Sequence, residues 1–348
     1  MTIQRRVRMD WTVIIPTRGR PTKLAACVRA LSRQTAAPEF ELLVAVDGPD
    51  QGEGLVVEEL AGNVPATVLV SDEPAGPAAA RNRAFAEARG RWTLLLNDDV
   101  VPEADLLARH VEARAEGAVG DDDLVLGSAP FRVEKPDRLF DRLVRETSMV
   151  FFYDQMDNAD PARDWGWRHA WTLNLSVRTD AVNEVGAFST ALPGAAFEDV
   201  ELGWRLRERF GASGGGRVLY RPAARVEHDH RYEPAGYLGR ERMLGRDAWA
   251  LADANAACAH ELFGRDIRSA DEVAYSRAFV EREARTAALI ESGFLSLGGI
   301  PADAVGSKLV PILYQQHLLV KRWWWRVGLL EGSGEAVGAA RDRRFGAR

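Results

Sequence analysis

Two cysteines in 348 residues, Cys27 and Cys258, are too few and too far apart for a disulfide framework or a thiolate metal site. Cys27 shares helical spacing with Leu24, Val28 and Leu31, so it reads as a small buried hydrophobe. No stretch approaches the roughly 20 consecutive apolar residues that span a bilayer. Arg5, Arg6 and Arg8 precede only the short apolar run Trp11–Pro16, which does not read as a secretory signal, and cytoplasmic residence is expected. Positive charge is also scarce: 45 Lys and Arg against 51 Asp and Glu leave a net charge of -6, without the basic footprint that nucleic acid requires. An anionic ligand must then be met locally, by backbone amides, an arginine or a metal ion. The remainder, 46% hydrophobic and 28% charged, is a globular balance. The length allows one large α/β domain, or a domain of about 200 residues with an extension.

The first hundred residues alternate short apolar runs with amphipathic segments, the pattern of βα units feeding a mostly parallel sheet. Strands are predicted at Trp11–Ile15, Phe40–Val46, Ala66–Val70 and Arg91–Leu96, and helices at Pro21–Gln34, Glu53–Leu60 and Pro77–Ala88. Three strands end in polar residues: Thr17-Arg18, Asp47 and Asn97–Asp99. Ligands of open α/β sheets bind outside the carboxyl ends of strands, so these groups are expected to converge on one crevice. Further strands are read at Asp122–Ser128, Trp171–Val177 and Arg217–Tyr220, a helical turn at Thr179–Val185, and an amphipathic helix at Glu198–Phe210. Asp157–Trp171, rich in Trp, Asp and Arg, reads as a mobile loop. From about Tyr232 the sequence turns Ala- and Arg-rich and helical, with a break near Gly298–Pro301. The predicted organisation is a nucleotide-binding α/β domain over 1–231 and a helical extension over 232–348.

Three clusters carry chemistry. In Asn97-Asp98-Asp99 an aspartate pair at the mouth of a parallel sheet can hold a divalent cation and a ribose hydroxyl, and hard oxygen ligands suit Mg²⁺ or Mn²⁺. A solvated turn would carry the same letters. Glu198-Asp199 opens a helix whose dipole favours a carboxylate anion, so a general base there is expected to keep a low to moderate pKa. An ordinary helix cap is the alternative. His228 and His230, two apart on a strand, point the same way, and a neutral imidazole can complete the coordination of a carboxylate-bound metal.

Taken together, VIIPTRGRP, VAVDGPD, GPAAARNRAFAEARG, WTLLLNDDVVP, FEDVELGWRLR and VEHDHR, in that order over Trp11–Arg231, resemble the inverting glycosyltransferase family 2, which has the GT-A fold. The resemblance implies that Pro16, Thr17, Arg18, Asp47 and Arg81 line the nucleotide pocket. Asp47 and Arg81 would lie nearest the base and Asp98 would reach the ribose, while Asp72 would either approach the base or stand as an exposed turn aspartate. It implies that Asp99 binds Mn²⁺ or Mg²⁺ beside His228, with His230 second, that Asp199 is the catalytic base, and that Glu198 orients hydroxyls. The implied reaction is a single inverting displacement from a nucleoside diphosphate sugar, UDP being the family's commonest nucleotide, to a hydroxyl of a glycan or other acceptor, as in polysaccharide biosynthesis.

Asn97 stands where the family's acidic motif begins with aspartate, so the site carries one carboxylate fewer. The membrane helices and Q-x-x-R-W motif of processive members are missing, which implies a non-processive enzyme. A sugar-phosphate nucleotidyltransferase is disfavoured because Ile15–Arg20 lacks the preceding glycines of a triphosphate loop. A non-catalytic sugar-nucleotide-binding scaffold of the same fold is the second alternative, set against the retention of Asp99, Asp199 and His228. Trp165, Trp167 and Trp171 could form an acceptor platform or simply core. Leu318–Leu330, with three tryptophans between basic residues and apolar ends, fits internal packing, a homo-oligomer contact or a peripheral contact with the inner face of a membrane.

Overall fold

The computed structural model describes residues 10–335 apart from 157, 193 and 195. In chain order the elements are β1 Trp11–Thr17, α1 Pro21–Leu31, β2 Phe40–Val46, α2 Glu53–Leu60, β3 Ala66–Val70, α3 Pro77–Glu87, β4 Trp92–Leu96, β5 Val100–Pro102 and α4 Leu106–Ala115. They continue as β6 Leu124–Ser128, α5 Leu139–Glu146, β7 Asn174–Arg178, α6 Thr179–Glu184, α7 Glu198–Phe210 and β8 Val218–His228. Three long helices and one short one close the list: α8 Pro234–Ala254, the short α9 Ala256–Phe263, α10 Ala270–Ser296 and α11 Val310–Gly332. The N-terminal arginines Arg5, Arg6 and Arg8, and Asp157 at the start of the predicted loop, lie outside the described residues.

The chain divides into two compact units, Met1–Pro130 with Asp157–His230, and Phe131–Met156 with Arg231–Arg348. The change of composition near Tyr232 predicts a single boundary near 231. The segment 131–156 instead belongs with the C-terminal helices, because the apolar face of α5, with Leu139, Phe140 and Leu143, shares a core with Tyr237, Phe294 and Val320. Periodicity reveals such a face but not its partner.

The first unit is an eight-stranded sheet in the order β3-β2-β1-β4-β7-β6-β8-β5. β1 runs parallel to both β2 and β4, whereas β7 is antiparallel to its neighbours β4 and β6, and β5 is antiparallel to β8. β2 is buried along its whole length, as expected of a strand covered on both faces. The successive crossovers run outward from β1 to β3 and then return to β4, which opens a crevice at the carboxyl ends of β1 and β4.

Two predicted pieces, Arg217–Tyr220 and Val226–Arg231, turn out to be one strand, β8, ending at His228. Its register against β6 jumps between Gly127↔Arg221 and Ser128↔Arg225, so Pro222 falls in the irregularity, where its missing N–H is tolerated. The β7 strand begins at Asn174 rather than Trp171, and the predicted loop before it contains a short helical turn, Trp167–His169.

A buried polar network fixes β7. His110 of α4, fully buried, has Nε2 2.9 Å from Asn174 Oδ1 and Nδ1 3.1 Å from Ser176 Oγ. The Asn174 amide donates to the carbonyls of Ser128 and Ala224, which leaves its oxygen to accept from His110 Nε2–H and makes Nδ1 the acceptor for Ser176. Burial, together with the charge of Arg114, lowers His110 from 6.5 to about 4 despite the Asn174 contact, so the ring is neutral.

In the second unit α8 and α11 meet backbone to backbone. A Cβ on Gly245 would lie 1.8 Å from the Trp325 carbonyl oxygen, and one on Gly328 would lie 1.8 Å from that of Arg242. The tryptophans of 318–330 are used inside this unit: Trp323 Nε1 donates to the Val280 carbonyl at 2.9 Å, Trp324 Nε1 to Glu291 at 3.2 Å, and Trp325 packs against Phe263. Among the described residues no helix is long and apolar enough to cross a membrane.

Candidate active site

The parallel register of β1 and β4 brings two strand exits together, and Thr17 Oγ1 donates to Asp98 Oδ2 at 2.7 Å. The short pairing of β5 with β8 sets Val100 opposite His228, and the Asp229 N–H donates to the Asp99 carbonyl at 2.8 Å. The acid and histidine motifs, far apart in sequence, thereby become neighbours. His228 Nε2 stands 3.7 Å from Asp99 Oδ1 and His230 Nδ1 stands 3.6 Å from Asp99 Oδ2. Lys23 of α1 grips the residue between the histidines, reaching the Asp229 carboxylate at 2.9 Å and its carbonyl at 2.8 Å.

Arg20 lies across the acid pair. Its guanidinium contacts Asp98 Oδ1 at 2.6 Å, Asp98 Oδ2 at 3.1 Å and Asp99 Oδ2 at 3.1 Å. Both carboxylates are buried, yet they diverge in acidity. Burial pushes Asp98 up to about 6, against the pull of Arg20 and with the charge of Asp99 adding to the rise. Burial would raise Asp99 too, but the imidazoles of His228 and His230 and the Arg20 charge outweigh it and hold Asp99 well below the usual carboxylate range. Burial lowers His228, which favours the neutral ring that can ligate a cation.

A second cluster surrounds the start of α7. Phe197, in the left-handed region with φ 68°, makes the turn into the helix, a costly conformation for a residue with a Cβ. Glu198 is committed to Arg81: Nη1 donates to Glu198 Oε1 at 2.9 Å, Nη2 reaches Asn97 Oδ1 at 3.3 Å, and the guanidinium lies over the Phe188 ring. Asn97 thus links this cluster to the acid pair that follows it in sequence. Asp199 accepts from the Val200 N–H at 2.8 Å and from the backbone at Thr172. Burial and the negative charge of Glu198 nevertheless push Asp199 up to about 7, Arg81 opposing them. The low to moderate value expected from the helix dipole is overturned, since desolvation exceeds what a helix terminus supplies.

The remaining predicted residues are placed as follows. Asp47 is buried and accepts the N–H groups of Ala75 at 2.7 Å and Gly76 at 3.1 Å, shaping the loop into α3. Arg18 and Asp72 are exposed on loops, Pro16 is half-buried, and Trp171 is buried next to the His169 ring. Sequence reasoning passed over Arg20 and Lys23. The only trace of Arg20 was a second arginine two residues beyond Arg18, and choosing between them requires knowing which side chain reaches across to β4.

The chemistry of the donor set, carboxylate oxygens with imidazole nitrogens, suits Mn²⁺ or Mg²⁺. Asp99 Oδ1 is buried without a hydrogen-bond donor, an acceptor available to a cation. Among the described residues, no three or more His, Cys, Asp or Glu side chains are disposed to hold a metal as they stand, and Arg20 engages three of the four acid oxygens.

Residues 12–174 match the family model "Glycosyl transferase family 2". The chain is 29% identical over 259 residues to the pre-mycofactocin glycosyltransferase of Mycobacterium tuberculosis, covering 70% of this chain and 47% of that protein. It is 28% identical over 186 residues to glycosyltransferase AglE of Haloferax volcanii, covering 52% and 56% respectively. The chain thus spans about half the length of these curated relatives. Among solved structures, mannosyltransferase PcManGT from Pyrobaculum calidifontis, in complex with GDP-Man and Mn²⁺, superposes with a TM-score of 0.55 at 18% identity, covering 90% of this chain and 86% of that one. S. aureus TarS 1-349 in complex with UDP gives 0.50 at 16% identity, with coverage of 94% and 92%. These likenesses are of fold.

Proposed function

From the premise that this chain belongs to glycosyl transferase family 2 and has the GT-A fold, we propose that it transfers a sugar from a nucleoside diphosphate donor to a hydroxyl acceptor with inversion, with the aid of a divalent cation. The observation that carries the reading is the division of labour on the first turn of α7. Glu198 is neutralised by Arg81, while Asp199 sits at about 7, close to the value at which a general base is most effective near neutral pH.

Asp199 takes the proton of the acceptor hydroxyl as that oxygen bonds to the anomeric carbon. The bond from that carbon to the diphosphate breaks on the opposite face, and the nucleoside diphosphate leaves with the electron pair. Asp99, with His228 and His230, would hold the cation, which when bound supplies Lewis-acid stabilisation to the departing diphosphate. Thr17 and Asp98 form the strand-end floor of the donor pocket. Trp165 and His169, which pack edge to face with ring centroids 5.9 Å apart, precede the Thr172 backbone that contacts Asp199. The complexes of similarly folded proteins with UDP and with GDP-Man and Mn²⁺ make uridine and guanosine diphosphates with Mn²⁺ the first probes.

Calorimetric titration of UDP, GDP and dTDP, with and without Mn²⁺, into the intact protein and Asp99→Ala tests the reading. Metal-dependent tightening for one nucleotide, lost in Asp99→Ala, is expected. Failure of all three nucleotides to bind under either condition would remove the donor site.

A further inference from the structure

We propose that Arg20 is a displaceable counter-cation that keeps the acid pair closed to a free divalent ion and so makes cation binding depend on the nucleotide. The inference deepens the donor-site reading above and rests on it. Its basis is a contrast within one residue. The backbone of Arg20 is pinned: its N–H donates to Glu53 Oε1 at 3.3 Å, its carbonyl accepts from Leu24 at 3.1 Å, and Pro21 follows. Its side chain, by contrast, is 46% exposed while gripping two carboxylates whose side chains are 0% and 8% exposed. A guanidinium held by fixed backbone at one end and open to solvent along its length can swing out without disturbing the fold.

Its three contacts at 2.6, 3.1 and 3.1 Å use both oxygens of Asp98 and one of Asp99. Like charges cannot share those oxygens, so a divalent ion entering there has to expel the guanidinium. The fourth oxygen, Asp99 Oδ1, lacks a donor, and the His228 and His230 nitrogens stand 3.7 and 3.6 Å from the Asp99 carboxylate, one shift short of a coordination shell. A free ion meets this resistance in full. An ion arriving with a nucleoside diphosphate brings the released guanidinium a new anionic partner, for which its planar fork is well matched, and the resistance falls. Cation and nucleotide then bind with positive coupling, each raising the affinity of the other by the same factor.

The test is the affinity for Mn²⁺ alone, read from the free-ion electron paramagnetic resonance signal, in the wild type, Arg20→Ala, Arg20→Lys and Arg20→Ala/Asp99→Ala, each checked for folding by circular dichroism. A closed form populated at 90–99% predicts roughly 10- to 100-fold tighter Mn²⁺ binding by Arg20→Ala, lost again in the double variant. Arg20→Lys, which keeps the charge but not the fork, is expected to fall in between. Adding UDP or GDP should tighten Mn²⁺ in the wild type by a larger factor than in Arg20→Ala. Unchanged or weaker Mn²⁺ binding by Arg20→Ala, with Asp99 still required, would overturn the role of Arg20 and leave the donor site standing. Arg20→Lys matching the wild type while Arg20→Ala binds tightly would replace displacement with simple charge repulsion and overturn it equally. Mn²⁺ binding indifferent to Asp99 in every background would overturn both readings.

Discussion

Acidification should destabilise the first unit through His110, and the size of the effect can be worked out. The ring is 0% exposed, is hydrogen-bonded on both nitrogens, and is lowered from 6.5 to about 4. The unfolded chain therefore takes up a proton near 6.5 that the folded protein refuses until about 4. A group depressed in the folded state in this sense contributes stability that is present above 6.5 and is lost as the pH falls. Integrated over the interval, lowering the pH from 7 to 5 costs about 2 kcal/mol, towards a limit of about 3 kcal/mol below pH 4. Urea unfolding of the wild type and His110→Gln at both pH values isolates this residue from every other titrating group. The glutamine variant is expected to start less stable at pH 7 and to lose about 2 kcal/mol less between pH 7 and 5. Equal pH slopes for the two proteins would refute the account of a neutral ring locked between Asn174 and Ser176.

Replacing Asp199 by Asn should lower turnover by roughly 10²- to 10⁴-fold with little change in UDP binding, and wild-type kcat/KM should fall below a pH of about 7 as the base protonates, which steady-state assays across pH would show. Arg81→Met leaves Glu198 buried without its counter-charge and should destabilise by about 3–5 kcal/mol, most of it recovered in Arg81→Met/Glu198→Gln; chemical denaturation decides, and a single variant within 1 kcal/mol of wild type, about the worth of an exposed pair, would count against a buried one. Gly328→Ala, whose Cβ would lie 1.8 Å from the Arg242 carbonyl oxygen, should destabilise by at least about 1–3 kcal/mol, whereas Gly293→Ala, with nothing within 4 Å, should not; their melting curves are the comparison.

The sequence was informative where the physics is local. β2, buried along its whole length, reads as a nearly unbroken apolar run, and β2, α2 and β3 all lie at the residues expected, while polar letters at the ends of β1 and β4 place the crevice. Asp99, His228 and His230 come together as the family resemblance implies. What escaped depends on reach or on environment. Whether Arg18 or Arg20 meets the acids turns on a side chain crossing between strands. The value at Asp199 comes from burial and from the neighbouring Glu198, against which the helix terminus weighs little. The continuity of β8 was hidden because Pro222 reads as an interruption unless the bulge that absorbs it is known. The partner of α5 lies almost a hundred residues downstream, beyond any local pattern.

That last separation has a consequence for synthesis on the ribosome. Phe140 and Tyr237, whose rings pack edge to face with centroids 6.2 Å apart, are 97 positions apart (237 minus 140). At roughly 5–20 residues per second, α5 emerges about 5–20 s before α8 and longer still before α11. For that interval Leu139, Phe140 and Leu143 lack the partners that α8, α10 and α11 supply, while the sheet forms from the sequence on either side of them. A nascent chain stopped after His230 would hold every strand of the first unit and an amphipathic helix, α5, whose apolar face still lacks the C-terminal helices. The helices that follow complete a core begun by a segment translated long before, and that waiting segment is where chaperones should bind during translation.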